Sequence, residues 1–285
     1  MSKKVAIQGI AGSFHDIAAH QYFDGEALEL VCCDTFEDVF QSMADDHEVI
    51  GLVAIENTIA GSLLHNYELL RDSRMAIVGE HKLRISHSLL CLPDDDWSTI
   101  SEIDSHPVAL MQCRRFLQQH HGVKIVEAED TAGAARDIAE QQLHGHAAIA
   151  SAHAAGLYGM RVLEEGIETN KHNFTRFLVV ADPLSAPYLC SPDTSNKASL
   201  VFSLPHNEGS LSQVLSIFSF YRINLTKIQS LPIIGREWEY MFYVDLTYDS
   251  YIRYRQSIDA IRPLTRQLSV LGEYKEWKQT DPSLS

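Results

Sequence analysis

The chain has 285 residues, with 23 Lys and Arg against 38 Asp and Glu, a net charge of −15 with histidine neutral and a hydrophobic fraction of 45%. At roughly 150 residues per domain there is room for about two domains. The acidic balance argues against a nucleic-acid binder, because phosphate neutralisation needs clustered cations and, apart from Lys3-Lys4 at the start of the chain, the one adjacent basic pair is Arg114-Arg115. No apolar run approaches the roughly 18 residues of a membrane helix, and Met1-Ser2-Lys3-Lys4 leads into a short strand instead of a signal-peptide core. No membrane partner is expected, and the chain reads as cytoplasmic.

Val5-Ala6-Ile7-Gln8-Gly9 is a short apolar run ending in glycine, and beyond a loop at 10–13 the pattern turns helical through Ile17, Ala18 and Tyr22. Strands are predicted at 28–32 and 50–55, with Thr35 capping a helix between them through about Met43. This β-α-β-α-β order predicts a parallel sheet with its functional loops at the strand carboxyl ends, near Gly9, Cys33 and Glu56. Strands follow at 77–80 and 87–92. Ser105-His106-Pro107 opens a helix through Leu117, with Ser105 as its N-cap and Pro107 in the first turn. A strand at 123–128, an alanine-rich helix capped by Thr131, a strand at 147–150 and a helix from Ser151 repeat the architecture of the first lobe. The strand at 174–180 crosses back, so residues 4 to about 181 read as two α/β lobes around a cleft. Pro183, Pro187 and Pro192 mark 182–196 as a linker. Beyond it, a strand at 197–204, a helix at 209–221, strands at 223–230 and 240–247, a helix at 251–268 and a closing strand at 269–274 follow a ferredoxin-like order.

The five cysteines form an odd count with no C-x-x-C pair, which favours reduced core thiols over a disulfide framework. Fourteen histidines include no H-E-x-x-H, and His144-x-His146 has no Cys or carboxylate at ligand spacing, so no metal site is expected.

Several short segments then combine. Gly9-Ile10-Ala11-Gly12-Ser13-Phe14, Ile55-Glu56-Asn57-Thr58 with Gly61-Ser62, Ser105-His106-Pro107 with Ala109 and Gln112, and Asn173-Phe174-Thr175-Arg176-Phe177 stand in the order and spacing of prephenate dehydratase. Asn207-Glu208-Gly209-Ser210-Leu211 and Gln229-Ser230-Leu231-Pro232 resemble the ACT regulatory domain of that family. The resemblance implies a two-lobed, periplasmic-binding-protein-like α/β catalytic unit over residues 1–181, with lobes of approximately 1–80 with 165–181 and 81–164. It further implies a linker at 182–196 and an α+β ferredoxin-like ACT domain at 197–285. The implied reaction converts prephenate to phenylpyruvate, water and carbon dioxide in phenylalanine biosynthesis, without metal or organic cofactor. Arogenate dehydratase activity and a non-catalytic amino-acid sensor are the rival readings.

The same resemblance makes Thr175 the catalytic hydroxyl, hydrogen-bonded to the departing oxygen. An alcohol is a weak acid, so Thr175 relays or orients a proton, and a desolvated Glu56 could supply it. Asn57 and Thr58 are neutral donors suited to a dianion, with Gly61 and Ser62 in the same loop and Asn173 and Phe177 flanking Thr175. Arg176 either pairs a carboxylate or makes a structural salt bridge, since neighbours along a strand face opposite ways. Ser13 with the turn amides of 9–14 would form an anion nest, or the glycines simply punctuate a loop. Ser105, Gln112, Thr131 and Ser151 lie at or near helix starts, where they bind a carboxylate or only cap. At the regulatory end, backbone amides of Asn207, Glu208, Gly209, Ser210 and Leu211 would clamp phenylalanine between two ACT domains in a homodimer or homotetramer. Gln229, Ser230, Leu231 and Pro232 replace the family's Glu-Ser-Arg-Pro and put the form of inhibition in question.

Overall fold

The computed structural model describes residues 2–233, 235–236 and 238–278, so the last seven residues of the expected 197–285 domain lie outside the described residues. The chain opens with β1 (Lys3–Gln8), α1 (Phe14–Tyr22), β2 (Leu28–Cys33), α2 (Phe36–Asp45), β3 (Ile50–Asn57), β4 (Gly61–Ser62), α3 (Leu64–Ser73) and β5 (Ala76–Arg84). There follow β6 (Ser88–Cys91), β7 (Glu102–Ser105), α4 (Pro107–Gln112), α5 (Arg114–Gln119), β8 (Lys124–Glu127), α6 (Thr131–Gln141), β9 (His146–Ala150), α7 (Ala152–Tyr158) and β10 (Arg161–Glu165). The remainder is β11 (Phe174–Ala181), α8 (Ala186–Leu189), β12 (Lys197–Ser203), α9 (Ser210–Phe220), β13 (Asn224–Pro232), β14 (Tyr240–Thr247), α10 (Tyr251–Ile261) and β15 (Arg266–Tyr274).

Among the described residues the strands form three sheets, ordered β2-β1-β3-β11-β5 with β4 on β3, β10-β6-β9-β7-β8, and β13-β14-β12-β15. The first contains the parallel β1/β2 pair the sequence implied, and β11 does return to lie beside β3. In the second, alternation buries both faces. Leu89, Ile103, Ala147 and Ile149 pack on one side with Phe116, while Leu90, Ala148 and Ala150 pack on the other with Ala135 and Ile138. The third is antiparallel in every pairing, and Leu200, Phe202, Val244 and Leu246 form a core with Val214 and Phe218 of α9 and Tyr254 and Ile258 of α10.

The chain divides into two compact units. One holds residues up to Ser42, Gly51–Leu63 and Lys82–Phe177; the other holds Met43–Ile50, Leu64–His81 and the residues from Leu178 on. Inside the second unit Lys197 Nζ lies 2.8 and 2.9 Å from the two carboxylate oxygens of Glu80, and both side chains are buried. The Trp277 amide donates to the same carboxylate at 3.1 Å. No helix among the described residues is long and apolar enough to cross a membrane.

Several boundaries differ from the sequence reading. Ser105 is not a cap: it ends β7, its hydroxyl donates to the Ile149 carbonyl at 2.6 Å, and His106 takes the cap by accepting from the Val108 amide. Thr131 gives way to Asp130, whose carboxylate accepts from Gly133 N at 2.6 Å. Ser151 does cap α7. The helix expected at 105–117 breaks at Cys113 into α4 and α5, and α10 stops at Ile261 because Pro263 supports only a 3-10 turn. The linker carries the four-residue α8. Helix α3 and strands β7 and β10 were not anticipated: β7 buries one apolar side chain, Ile103, and α3 buries Asn66 beside Tyr67 and Leu70, which blurs an apolar period.

The His15 ring sits against Phe36 and Phe177, and His81 stands edge-on to Trp277. Desolvation pushes the pKa of each down to about 4. Between about pH 6.5 and 4 the unfolded chain therefore binds protons the folded chain refuses, so their burial costs no stability above pH 6.5 and progressively more as pH falls. Melting temperature should decline across that window; a flat profile from pH 7 to 4.5 contradicts the assignment.

Candidate active site

Strands β3 and β11 are neighbours in the first sheet, which brings Asn57 beside Asn173 and Thr175. The direction of the hydrogen bonds here is fixed by backbone. Asn57 Oδ1 accepts from the amides of Ile59 at 2.9 Å and Ala60 at 2.8 Å, so its other amide atom must be the nitrogen. That Nδ2 donates to Asn173 Oδ1 at 2.8 Å and to Thr175 Oγ1 at 3.0 Å, with a longer contact to the Phe174 carbonyl. Asn173 is thereby fixed too, and its Nδ2 donates to Gln112 Oε1 at 2.9 Å. His87 Nε2 lies 2.9 Å from the same Gln112 oxygen, which can only accept, so the His87 proton sits on Nε2. His87 Nδ1 is correspondingly left without a partner. Burial lowers the His87 pKa and keeps the ring neutral.

Asn57, Gln112, His87 and Asn173 are all buried, the last completely. A buried network whose hydrogen-bond directions are fixed in this way holds its members in one orientation, with His87 Nδ1 its one buried atom left unpaired among the described residues. Its consequence lies at the two ends. Thr175 receives a hydrogen bond from Asn57, so its own hydroxyl proton remains to be donated, and Gln112 keeps its NH2 as a free donor among the described residues.

Other expected residues serve the site differently. Thr58 uses both roles of its hydroxyl on backbone, donating to His172 O and accepting from Phe174 N, and so clamps the 172–174 segment to β3. Glu56 is half-buried and faces Ser62 across the β3/β4 pairing, while Asn57 pairs with Gly61, whose φ of +86° makes the tight return. Arg176 and Phe177 are buried, with Phe177 on the His15 ring. Thr131, next to its cap Asp130, is half-buried.

The anion nest expected around Ser13 is already filled. Gly12 N donates to the Asp16 carboxylate at 2.7 Å, Ser13 Oγ caps α1 by accepting from Asp16 N, and the amides of Gly9 and Ser13 bond to Cys33 O and Ile10 O. An internal carboxylate four residues on supplies the anion. Ser151 Oγ donates to Gly12 O and Tyr158 OH to Ala11 O, so the turn serves to join α7 to β1. At the other end of the chain Gly209, with φ +77°, starts α9, Asn207 and Glu208 are exposed, Leu211 packs against the α9/α10 core and Ser210 N bonds Asn207 O. In β13 Leu231 is buried, Ser230 and Pro232 are exposed and Gln229 Nε2 donates to Ser230 O.

Sequence reasoning missed His87 and Asp16. The signal for His87 was a lone histidine between two serines just ahead of an apolar run; for Asp16 it was a carboxylate at the third residue of a helix after Ser13.

A cavity of about 460 Å³ adjoins this network, lined by Ile59, Met111, Gln112, Arg114, Arg115, Gln118, Thr169 and Asn170. Its volume suits a small-molecule ligand.

The prephenate dehydratase family model matches residues 5–184. Arogenate dehydratase 1 of Petunia hybrida is 36% identical over 95% of this chain and 66% of its own length. The bifunctional chorismate mutase/prephenate dehydratase of Escherichia coli K12 is 32% identical over 96% of this chain and 71% of its own. A solved structure described as GqqA, a novel type of quorum quenching acylase, is 28% identical, covers 96% of this chain and 98% of its own, and superimposes with a TM-score of 0.85. The chain spans about two thirds of the length of the curated relatives it matches. With more than half of its residues under one family model and the same chemistry-bearing segments drawn together around Asn57 and Thr175, the chain belongs to the prephenate dehydratase family.

Proposed function

We propose that this chain is a lyase that converts prephenate to phenylpyruvate. The bond from the ring carbon to its carboxylate breaks, the electron pair moves through the ring to expel the hydroxyl, and one proton is taken up so that carbon dioxide and water leave. Aromatisation drives the reaction, and hydroxide as leaving group is the kinetic obstacle. The observation that carries this reading is the fixed polarity of Asn57, which leaves the Thr175 proton free for a departing oxygen. The net proton is taken up from solvent. An acylase using Thr175 as nucleophile would need a base at hydrogen-bond distance, whereas its partner among the described residues is the donor amide of Asn57.

Gln112, with its free NH2, hydrogen-bonds substrate, and no cofactor or metal enters the scheme. Residues 1–181 carry the catalysis, 182–196 link, and 197–285 form an ACT domain that binds phenylalanine and assembles the chain as a homodimer or homotetramer in the cytoplasm. The sheet order β13-β14-β12-β15 and the turn at Gly209 support that domain reading. Titrating phenylalanine while following activity and oligomer size tests it; no response of either and no binding heat would remove the effector.

The substrate is tested by comparing kcat/KM for prephenate and arogenate side by side, with phenylpyruvate and phenylalanine as the respective products. The higher value is expected for prephenate, and a preference for arogenate overturns the assignment.

His87 is a positioning residue that acts through Gln112. His87→Leu should lower kcat for prephenate about 10-fold to 100-fold, because Gln112 Oε1 then keeps only the Asn173 donor and the side chain that carries the free NH2 is held less firmly. His87→Gln, which can restore an N–H to Gln112 Oε1, should recover much of the loss; equal loss in both variants would mean His87 only fills space.

A further inference from the structure

The basic pair Arg114-Arg115 has no place in the network above, yet both residues line the cavity beside it. Both are exposed, and among the described residues neither makes an ion pair, in a chain whose net charge is −15. The backbone around them is held: Arg115 N donates to Thr169 Oγ1 at 3.3 Å and Thr169 N donates to Gln112 O at 2.8 Å. The same cavity is walled by Gln112, the donor end of the buried chain, and by Ile59, whose amide fixes Asn57. Two guanidiniums without an ion-pair partner among the described residues therefore line the same cavity as Gln112, the free donor end of the network.

We infer that Arg114 and Arg115 form a carboxylate subsite of this active site and take the side-chain carboxylate of a dicarboxylate substrate; the inference rests on the proposed lyase reaction. Charge decides which carboxylate they hold. The ring carboxylate must release its electron pair as carbon dioxide, and an arginine bound to it would stabilise the ground state more than the transition state. The side-chain carboxylate keeps its charge throughout, so pairing it binds substrate, transition state and product alike, which sets KM without lowering kcat. Arginine suits the task because its planar fork grips a carboxylate through two parallel hydrogen bonds.

The test uses the full chain with both arginines changed to glutamine and, separately, both changed to lysine. Steady-state kinetics with prephenate should show KM raised at least 10-fold in the Arg114→Gln/Arg115→Gln variant with kcat within about 3-fold of the parent, and a smaller rise in the lysine variant. Binding of phenylpyruvate, which retains only the side-chain carboxylate, should weaken by at least 10-fold in the glutamine variant when followed by calorimetry at constant ionic strength. An unchanged KM and unchanged phenylpyruvate affinity overturn the subsite while leaving the lyase reading intact. A parent chain that turns over neither prephenate nor arogenate overturns the lyase reading; arginine-dependent phenylpyruvate binding in that chain would still support the subsite. A loss confined to kcat overturns it, because a group that binds every state equally cannot act there.

Discussion

Thr175→Ala is expected to lower kcat for prephenate by about 10² to 10⁴, the range associated with a positioned proton-donating group, with a much smaller change in KM. The reasoning starts from the amides of Ile59 and Ala60, which orient Asn57 so that it can only donate to Thr175. The threonine proton is then available to the leaving oxygen, whose developing charge makes the bond stronger in the transition state than in the ground state. Thr175→Ser keeps the hydroxyl and should lie within about 10-fold of the parent, while the near-isosteric Thr175→Val should behave like alanine. Asn57→Asp provides the sharper check. An aspartate still accepts from both backbone amides but turns the hydrogen bond to Thr175 around, drawing the hydroxyl proton toward itself. Activity should fall nearly as far as in Thr175→Ala although the threonine is untouched. Normal activity in Asn57→Asp would show that hydrogen-bond direction is irrelevant.

Lys197→Met should destabilise the protein by about 3 to 5 kcal/mol, since it removes the buried ammonium that bonds both oxygens of the buried Glu80 carboxylate. The Trp277 amide remains as a donor to Glu80 but cannot replace a full charge at 2.8 Å. Replacing both partners, Lys197→Met with Glu80→Leu, should recover most of that loss, because two apolar side chains of similar volume remove the desolvation cost of both ions together. Thermal or denaturant unfolding of the two variants decides it. A single variant as stable as the parent would mean that water or another group reaches Glu80.

Much of the fold was legible because each signal was local. The glycine after β1 and the apolar run of β3 located their strands, and the order of elements from 197 onward implied the observed sheet. Caps slipped by one residue where two cap-forming side chains adjoin: Asp130 precedes Thr131, and His106 follows a Ser105 whose hydroxyl is drawn to the neighbouring strand. The site was legible as a set of residues and not as a circuit. Asn57, Asn173, Thr175 and Gln112 could be nominated from their segments, but the direction of their hydrogen bonds depends on two backbone amides and a turn. His87 is 25 residues from Gln112 and buried, so its sequence looks like that of any core histidine. The Ser13 turn misled because a glycine-rich turn before a helix reads as an anion site whether the anion comes from outside or, as here, from Asp16.

The most direct measurement is a time course of phenylpyruvate and carbon dioxide from prephenate, with the purified full chain at neutral pH in the presence of a chelator. One of each product per prephenate consumed, at a rate proportional to protein and well above the spontaneous conversion, is the predicted result. No acceleration over the protein-free control would contradict the account.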